Sequence, residues 1–171
     1  MNKKIFSKNC NLSSYTTIKV GGVAEYFAEP RSVEELSYLI KWANLNKQRC
    51  QIIGAGSNLL INNIFIKGLV VCTKKLKSLK IEPYSGIVEA EAGVMLPTLS
   101  NSLAKNGLQG GEWAVGIPGT LGGAIYMNAG TGNLSLAKNL ISVKVINNKT
   151  LEKLEIEKKD INFEYRFSSF Q

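Results

Sequence analysis

The 171-residue sequence predicts an α+β protein built in two successive parts, and three observations carry that expectation. Residues 24–73 read as a small β-α-β unit, the hydrophobic pattern changes from Lys80 onward, and each part contains one glycine-rich turn that follows an apolar segment. The expected division is 1–79 and 80–171.

The first part opens on an alternating run over 24–29 that stops at Pro30, which is strand patterning ended by a residue without an amide donor. Ser32 then stands three residues before Glu35, the spacing of a capping box. Val33, Leu36, Leu39, Ile40 and Ala43 recur at helical spacing behind it, giving one apolar stripe. Residues 50–53 and 69–72 are short apolar runs consistent with buried strands. In the second part, 87–92 reads as a strand and 96–106 as a helix, with Pro97 in its first turn and Gly107 just past its end. Residues 141–146 and 151–156 alternate on either side of Asn147-Asn148-Lys149-Thr150, a hairpin signal.

Composition narrows the function classes. There are 21 Lys and Arg against 13 Asp and Glu, a net charge of +8 that favours anionic partners. The lysines are dispersed, apart from Lys74, Lys75, Lys77 and Lys80, and no aromatics interleave with that cluster, so a solvated basic face is favoured over a nucleic-acid groove. No run approaches the roughly 20 apolar residues of a membrane span, and the first residues lack the apolar core of a signal peptide, so a cytoplasmic location without membrane attachment is expected. Cys10, Cys50 and Cys72 are odd in number, widely spaced and unaccompanied by histidine, which reads as reduced thiols and no metal site. The lack of histidine also removes the usual general base. Nothing in the sequence specifies an oligomer, and a monomer is the default expectation.

Two segments carry chemistry. Gly54-Ala55-Gly56-Ser57-Asn58-Leu59 follows a buried strand, and such a turn offers backbone amides to an anion without an intervening Cβ. It is neither a Rossmann fingerprint, since Leu59 stands where the third glycine belongs, nor a Walker loop, and the plain alternative is a tight turn. The second segment runs from Gly116 to Gly130. Thr120 there takes an N-cap position, so the amides of Leu121, Gly122 and Gly123 are expected to face outward at a helix start, where a diphosphate would bind. The competing explanation is that Gly122 and Gly123 permit the helix to pack closely on a sheet.

With Thr16-Thr17-Ile18-Lys19-Val20-Gly21-Gly22, these two segments resemble the UDP-N-acetylenolpyruvoylglucosamine reductase family, over nearly the whole sequence. The resemblance implies the two-lobed FAD-binding fold of the vanillyl-alcohol-oxidase and para-cresol-methylhydroxylase type, with FAD in the cleft between lobes and NADPH as hydride donor. It implies diphosphate contacts from Gly54, Ala55, Gly56, Ser57, Asn58 and Leu59, and flavin and diphosphate contacts from Ile117, Gly119, Thr120, Gly122 and Gly123. The substrate would be a UDP-sugar enolpyruvyl ether, reduced to UDP-N-acetylmuramate for peptidoglycan, with Tyr165 and Asn128 contacting it. Residues 163–170 are similar to the family's Tyr-Arg-x-Ser motif, which makes Arg166 the catalytic residue. A fixed guanidinium would stabilise the enolate formed when hydride reaches the double bond. Without the resemblance, an arginine between aromatics reads as a surface cation-π contact.

Two departures qualify the comparison. Thr131-Gly132-Asn133-Leu134-Ser135 replaces the family's common Ala-Tyr-Gly-Gly-Glu. The family's later substrate-binding domain, with a proton-donating serine and a glutamate, has no counterpart in these residues, so the expectation is an N-terminal portion rather than a complete enzyme. Another flavin oxidoreductase of the same fold and a noncatalytic FAD-binding module are the alternative readings.

Overall fold

The computed structural model describes residues 5–62 and 64–171. They form two compact units, one running to Leu76 and taking in Ile146–Glu152, the other made of Lys77–Val145 and Lys153–Gln171.

In the first unit, β1 (Ser7–Asn11), β2 (Val23–Ala28), β3 (Cys50–Ile53) and β4 (Phe65–Cys72) make one sheet in the order β1-β2-β4-β3. β4 pairs parallel with both neighbours, while β1 runs antiparallel to β2. Helix α1 (Val33–Leu45) supplies the crossover between β2 and β3. Ser32 caps it, its hydroxyl accepting from the Glu35 amide at 3.2 Å. The reciprocal arm of the box is displaced by one residue, for the Glu35 carboxylate accepts from the Arg31 amide at 2.7 Å.

The helix lies on one face of the sheet because β4 alternates between two apolar layers. Leu69 and Val71 pack with Ala28, Leu39 and Ala43, bordered by Phe6, Tyr26 and Trp42. Val70 and Cys72 turn the other way and pack with Leu12, Ala24, Phe27 and Ile53. A strand covered on both faces must be apolar at every position, which is why 69–72 was readable. Its start at Phe65 was not, because Lys67 and Gly68 interrupt the run. Gly68 has φ +92, and a Cβ there would lie 2.3 Å from the Arg49 carbonyl oxygen, so glycine is required. The Glu25 carboxylate accepts from its amide at 2.9 Å, beside the irregular register of β2 and β4. β1 was not anticipated either, being a polar edge strand without alternation.

The Thr-x-x-x-Gly-Gly segment serves this sheet. The buried Thr16 hydroxyl donates to the Val20 carbonyl at 2.7 Å and closes the loop. A Cβ on Gly21 would meet the Leu12 carbonyl carbon at 2.8 Å, and one on Gly22 the Ile64 oxygen at 1.8 Å. Both glycines are therefore there for chain-to-chain approach.

Burial raises the pKa of the Cys50 and Cys72 thiols above their ordinary value, so at neutral pH they hold their protons more firmly than a free cysteine. Alkylation of the native protein by iodoacetamide at neutral pH is expected to label these two positions far more slowly than the denatured chain, as peptide mass mapping would show.

The second unit begins with a hairpin, β5 (Leu79–Glu82) and β6 (Ile87–Ala90), of which β5 was not foreseen. Helix α2 (Leu96–Lys105) follows with Pro97 in its first turn and Gly107 at φ +70 beyond its end. Helix α3 (Leu121–Tyr126) precedes a two-residue pair, β7 (Gly130–Thr131) with β8 (Leu134–Ser135), and a single turn of helix, α4 (Leu136–Asn139). Leu96, Ala114, Ala124 and Leu136 form the core of this unit, with Trp113, Ile117, Leu121 and Ile125 packed on it.

β9 (Ser142–Ile146) pairs with β10 (Lys153–Glu157). The second strand starts two residues later than the sequence suggests, because Leu151 takes a left-handed φ of +64 within the turn. Finally β11 (Phe163–Glu164) pairs antiparallel with β12 (Phe167–Ser168), leaving Tyr165 and Arg166 as a two-residue connection. Among the described residues no helix is long and apolar enough to cross a membrane.

Candidate functional site

The first glycine turn leaves the sheet at the end of β3. Its chain direction is set from within: the Thr73 hydroxyl donates to the Ile53 carbonyl at 3.3 Å, and the Cys72 thiol lies 3.5 Å from the Gly54 carbonyl. Gly54, Ala55 and Ser57 are half-buried, whereas Asn58 and Leu59 are exposed. Gly56 is buried at φ +68, and a Cβ on it would sit 2.0 Å from the Tyr15 carbonyl oxygen. Its own carbonyl accepts from the Thr17 amide at 3.1 Å. Gly56 is thus fixed by the passing 15–17 segment, which leaves the exposed rim of the turn to Asn58 and Leu59.

In the second unit the glycines of the long motif divide by function. The Leu121 amide donates to the Val94 carbonyl at 2.8 Å and the Gly122 amide to the Ala92 carbonyl at 2.9 Å. The expectation that both face outward is corrected: the preceding turn takes them, and a Cβ on Gly122 would meet the Ala92 Cβ at 2.9 Å. For Gly122 the close-packing explanation holds. Gly123 differs, since it is exposed and a Cβ there would touch only the Thr120 hydroxyl oxygen, at 3.5 Å. Gly116 is exposed with no atom within 4 Å of an added Cβ, and neither glycine has a left-handed φ. Nothing among the described residues requires glycine at 116 or 123. Gly119, by contrast, needs it for its φ of +139, and its carbonyl accepts from the Leu96 amide at 3.0 Å.

Thr120 is 2% exposed, and its hydroxyl makes no cap bond to α3. It is also the buried side-chain oxygen that, among the described residues, lacks a hydrogen-bond partner. Leaving such a group unpaired costs about 1–3 kcal/mol, so its retention beneath an open glycine needs a reason. A ligand with a hydrogen-bonding edge, lying against Gly123, would supply one. Ile117 is half-buried beside them in the same core layer.

These geometries set opposite expectations for two adjacent glycines. Gly122→Ala forces a shift of backbone at Ala92 and is expected to destabilise the protein by about 1–3 kcal/mol. Gly123→Ala is expected to improve helix propensity by about 0.5–1 kcal/mol and raise the melting temperature, and to weaken binding of any ligand that lies on the open face. Paired thermal melts, with and without that ligand, measure both.

Arg166 occupies the tip of the β11–β12 hairpin at φ +55. Its guanidinium carbon stands 5.5 Å from the centre of the Tyr165 ring, and Tyr165 is 90% exposed. A non-glycine residue held left-handed stores about 1 kcal/mol of strain, a pattern concentrated at functional positions. Three side chains fasten the hairpin to the end of α3. Asn128, buried and itself at φ +42, donates to the Glu164 carbonyl at 2.7 Å and accepts from the Ala137 amide at 3.4 Å. Ser168, fully buried, donates to the Tyr126 carbonyl at 2.8 Å, and Gln171 donates to the same carbonyl at 2.9 Å. Asn128 is therefore committed to internal bonds. Apart from the serine two residues after Arg166, no pattern in the sequence announces this fastening.

The sequence profile of the family described as an FAD binding domain matches residues 24–150, which spans both glycine turns. The chain belongs to this FAD-binding-domain family. Among curated relatives, the UDP-N-acetylenolpyruvoylglucosamine reductase of Prochlorococcus marinus subsp. pastoris is 70% identical over 166 residues, 97% of this chain and 56% of that protein. The chain spans about half the length of the curated relatives it matches. Among solved structures, the UDP-N-acetylenolpyruvylglucosamine reductase of Thermus caldophilus aligns with TM-score 0.74 at 30% identity, covering 93% of this chain and 55% of that one. The 6-hydroxy-D-nicotine oxidase of Arthrobacter nicotinovorans aligns with TM-score 0.65 at 16% identity over 85% of this chain and 32% of the oxidase, a likeness of fold alone. The FAD-binding domain has the α+β fold of vanillyl-alcohol-oxidase-type flavoproteins.

Proposed function

We propose that the chain binds FAD and forms the flavin-binding portion of an enzyme that reduces the enolpyruvyl ether of UDP-N-acetylglucosamine to UDP-N-acetylmuramate for peptidoglycan synthesis. The observation that carries the reading is the unpartnered Thr120 hydroxyl beneath the open face of Gly123. The reductases named above, similar over nearly the whole chain, supply the substrate class. FAD, when bound, supplies to the enolpyruvyl double bond a hydride taken from NADPH.

The residues divide the remaining work. In the turn of Gly54, Ala55, Gly56, Ser57, Asn58 and Leu59, Gly56 seats the loop on the 15–17 segment and the other residues bind the diphosphate, an anion that suits exposed backbone amides. Ile117, Gly119, Thr120 and Gly123 receive the flavin side, with Gly122 holding α3 close against the 92–94 turn. There the Thr120 hydroxyl gains the partner it lacks among the described residues. Arg166 binds the substrate carboxylate and stabilises negative charge developing on its oxygens, by charge-assisted hydrogen bonds. Tyr165 flanks the guanidinium, and Asn128 acts on substrate through the hairpin it holds.

Ser168 does not supply the proton that completes the reduction, because its buried hydroxyl is already donated to Tyr126. We place the protein in the cytoplasm as a monomer. The reading is tested by following NADPH consumption in flavin-loaded protein with and without the enolpyruvyl UDP-sugar. Consumption is expected to stop at about one equivalent per flavin without the sugar and to continue beyond it only when the sugar is present. Flavin-loaded protein that oxidises NADPH with another acceptor, and neither binds nor reduces the sugar, would favour a different flavin oxidoreductase.

A further inference from the structure

The Tyr-Arg turn has no support of its own. Its two strands are two residues each, and the residue carrying the guanidinium sits in a left-handed conformation that arginine disfavours. Two-residue hairpin loops ordinarily rely on Asn-Gly or a related pair, and Tyr165-Arg166 is not one. The conformation must be imposed from outside the turn.

Besides the Asn128 bond to the Glu164 carbonyl, the bonds that impose it converge on one backbone carbonyl. Ser168 Oγ donates to the Tyr126 oxygen at 2.8 Å, and Gln171 Nε2 donates to the same oxygen at 2.9 Å. The Gln171 amide also reaches the Arg166 carbonyl at 3.3 Å, and the Gln171 backbone amide donates to the Ser168 carbonyl at 3.1 Å. The C-terminal end of α3, the hairpin and Gln171 are thereby tied at one point, directly behind Arg166. α3 is also the helix that begins at Thr120 and Gly123. A residue fastened to the end of that helix is held in fixed register with its beginning, only six residues away.

We infer that Ser168 and Gln171 are positioning residues for Arg166, converging on the Tyr126 carbonyl to lock the turn that presents the guanidinium. They touch neither cofactor nor substrate, and they act by removing the alternative conformations of the turn. The inference rests on the proposed role of Arg166 for its consequence in binding, but the lock itself is a property of the hairpin.

The test uses Ser168→Ala, Gln171→Ala and the double variant in the full chain, with Arg166→Ala as reference. Gln171 is exposed, and an alanine fits where the smaller part of Ser168 already lies, so the variants are expected to fold. Two readouts are taken: amide hydrogen exchange over 163–168, and calorimetric binding of the enolpyruvyl UDP-sugar to flavin-loaded protein. The double variant is expected to exchange faster across the hairpin, with the rest of the unit unchanged, and to bind the sugar about tenfold more weakly. Introducing the same two changes into Arg166→Ala should cause little further loss, because Ser168 and Gln171 act only through the guanidinium. Unchanged exchange over 163–168 overturns the lock, whatever the ligand does. Faster exchange with full additivity to Arg166→Ala overturns the positioning role. If Arg166→Ala alone leaves sugar binding intact, the proposed function fails at that residue, while the exchange result still decides the lock.

Discussion

Gly56→Ala is expected to unfold the first unit, or to leave it stable only well below ambient temperature. The added Cβ would lie 2.0 Å from the Tyr15 carbonyl oxygen and 2.9 Å from the Thr16 Cα, both backbone atoms that cannot rotate away. The φ of +68 adds about 1 kcal/mol of strain for any L-side chain. Thr16 cannot retreat, since its hydroxyl is spent on the Val20 and Ser13 carbonyls in a buried loop. We therefore expect a loss of about 3–5 kcal/mol, the range of severe single substitutions, measured by chemical denaturation followed by circular dichroism. Gly22→Ala meets the Ile64 oxygen at 1.8 Å and should behave alike. A Gly56→Ala protein of wild-type stability would mean that the 15–17 segment does not pass where the structure puts it.

The second large effect is on catalysis and leaves stability nearly untouched. Arg166→Gly removes the guanidinium while supplying the one residue that prefers φ +55. The strain relieved in the folded state is about 1 kcal/mol, and the extra freedom of glycine in the unfolded chain offsets much of it. Thermal midpoint and flavin retention should therefore change little. On the proposed function, turnover of the enolpyruvyl sugar by the enzyme of which this chain forms the flavin-binding portion should fall about 100- to 1000-fold, the usual cost of losing one donor aimed at a developing oxyanion. Lysine at 166 should not restore it, because a point charge lacks the planar fork that matches a carboxylate. Steady-state kinetics of the two variants beside wild type distinguishes an anion-binding arginine from a surface cation-π contact, which would lose nothing.

How far the sequence reached depended on what each residue faced. α1 and the end of β4 were legible because an apolar stripe on one face, or apolar residues on both, can be read without knowing the partner. β1 and β5 were not, since neither contains a fully buried residue and their pairing is set by the neighbouring strand. Ser32 was legible as a cap, because its partner lies three residues away. The amides of Leu121 and Gly122 were misjudged for the converse reason: their acceptors, Val94 and Ala92, lie in an irregular turn almost thirty residues earlier. A glycine motif announces that backbone comes close to something, and only the fold says whether that is protein or ligand. Gly21, Gly22, Gly56 and Gly122 proved to face protein, while Gly116 and Gly123 face open space. The hairpin under Arg166 was invisible for a further reason, since its strands are too short to alternate and its turn lacks the usual residues.

The most direct test of the account is an absorption spectrum of the purified wild-type chain, and of Thr120→Val beside it, after each is mixed with FAD and freed of excess by gel filtration. Wild type is expected to retain the visible flavin band, and the valine variant, equally folded by circular dichroism, to retain at least about tenfold less at limiting FAD, having lost the buried hydroxyl that has no partner among the described residues. Folded wild-type protein that elutes without flavin, or a valine variant that holds it equally well, would contradict the assignment of Thr120 and the open face of Gly123 to the cofactor.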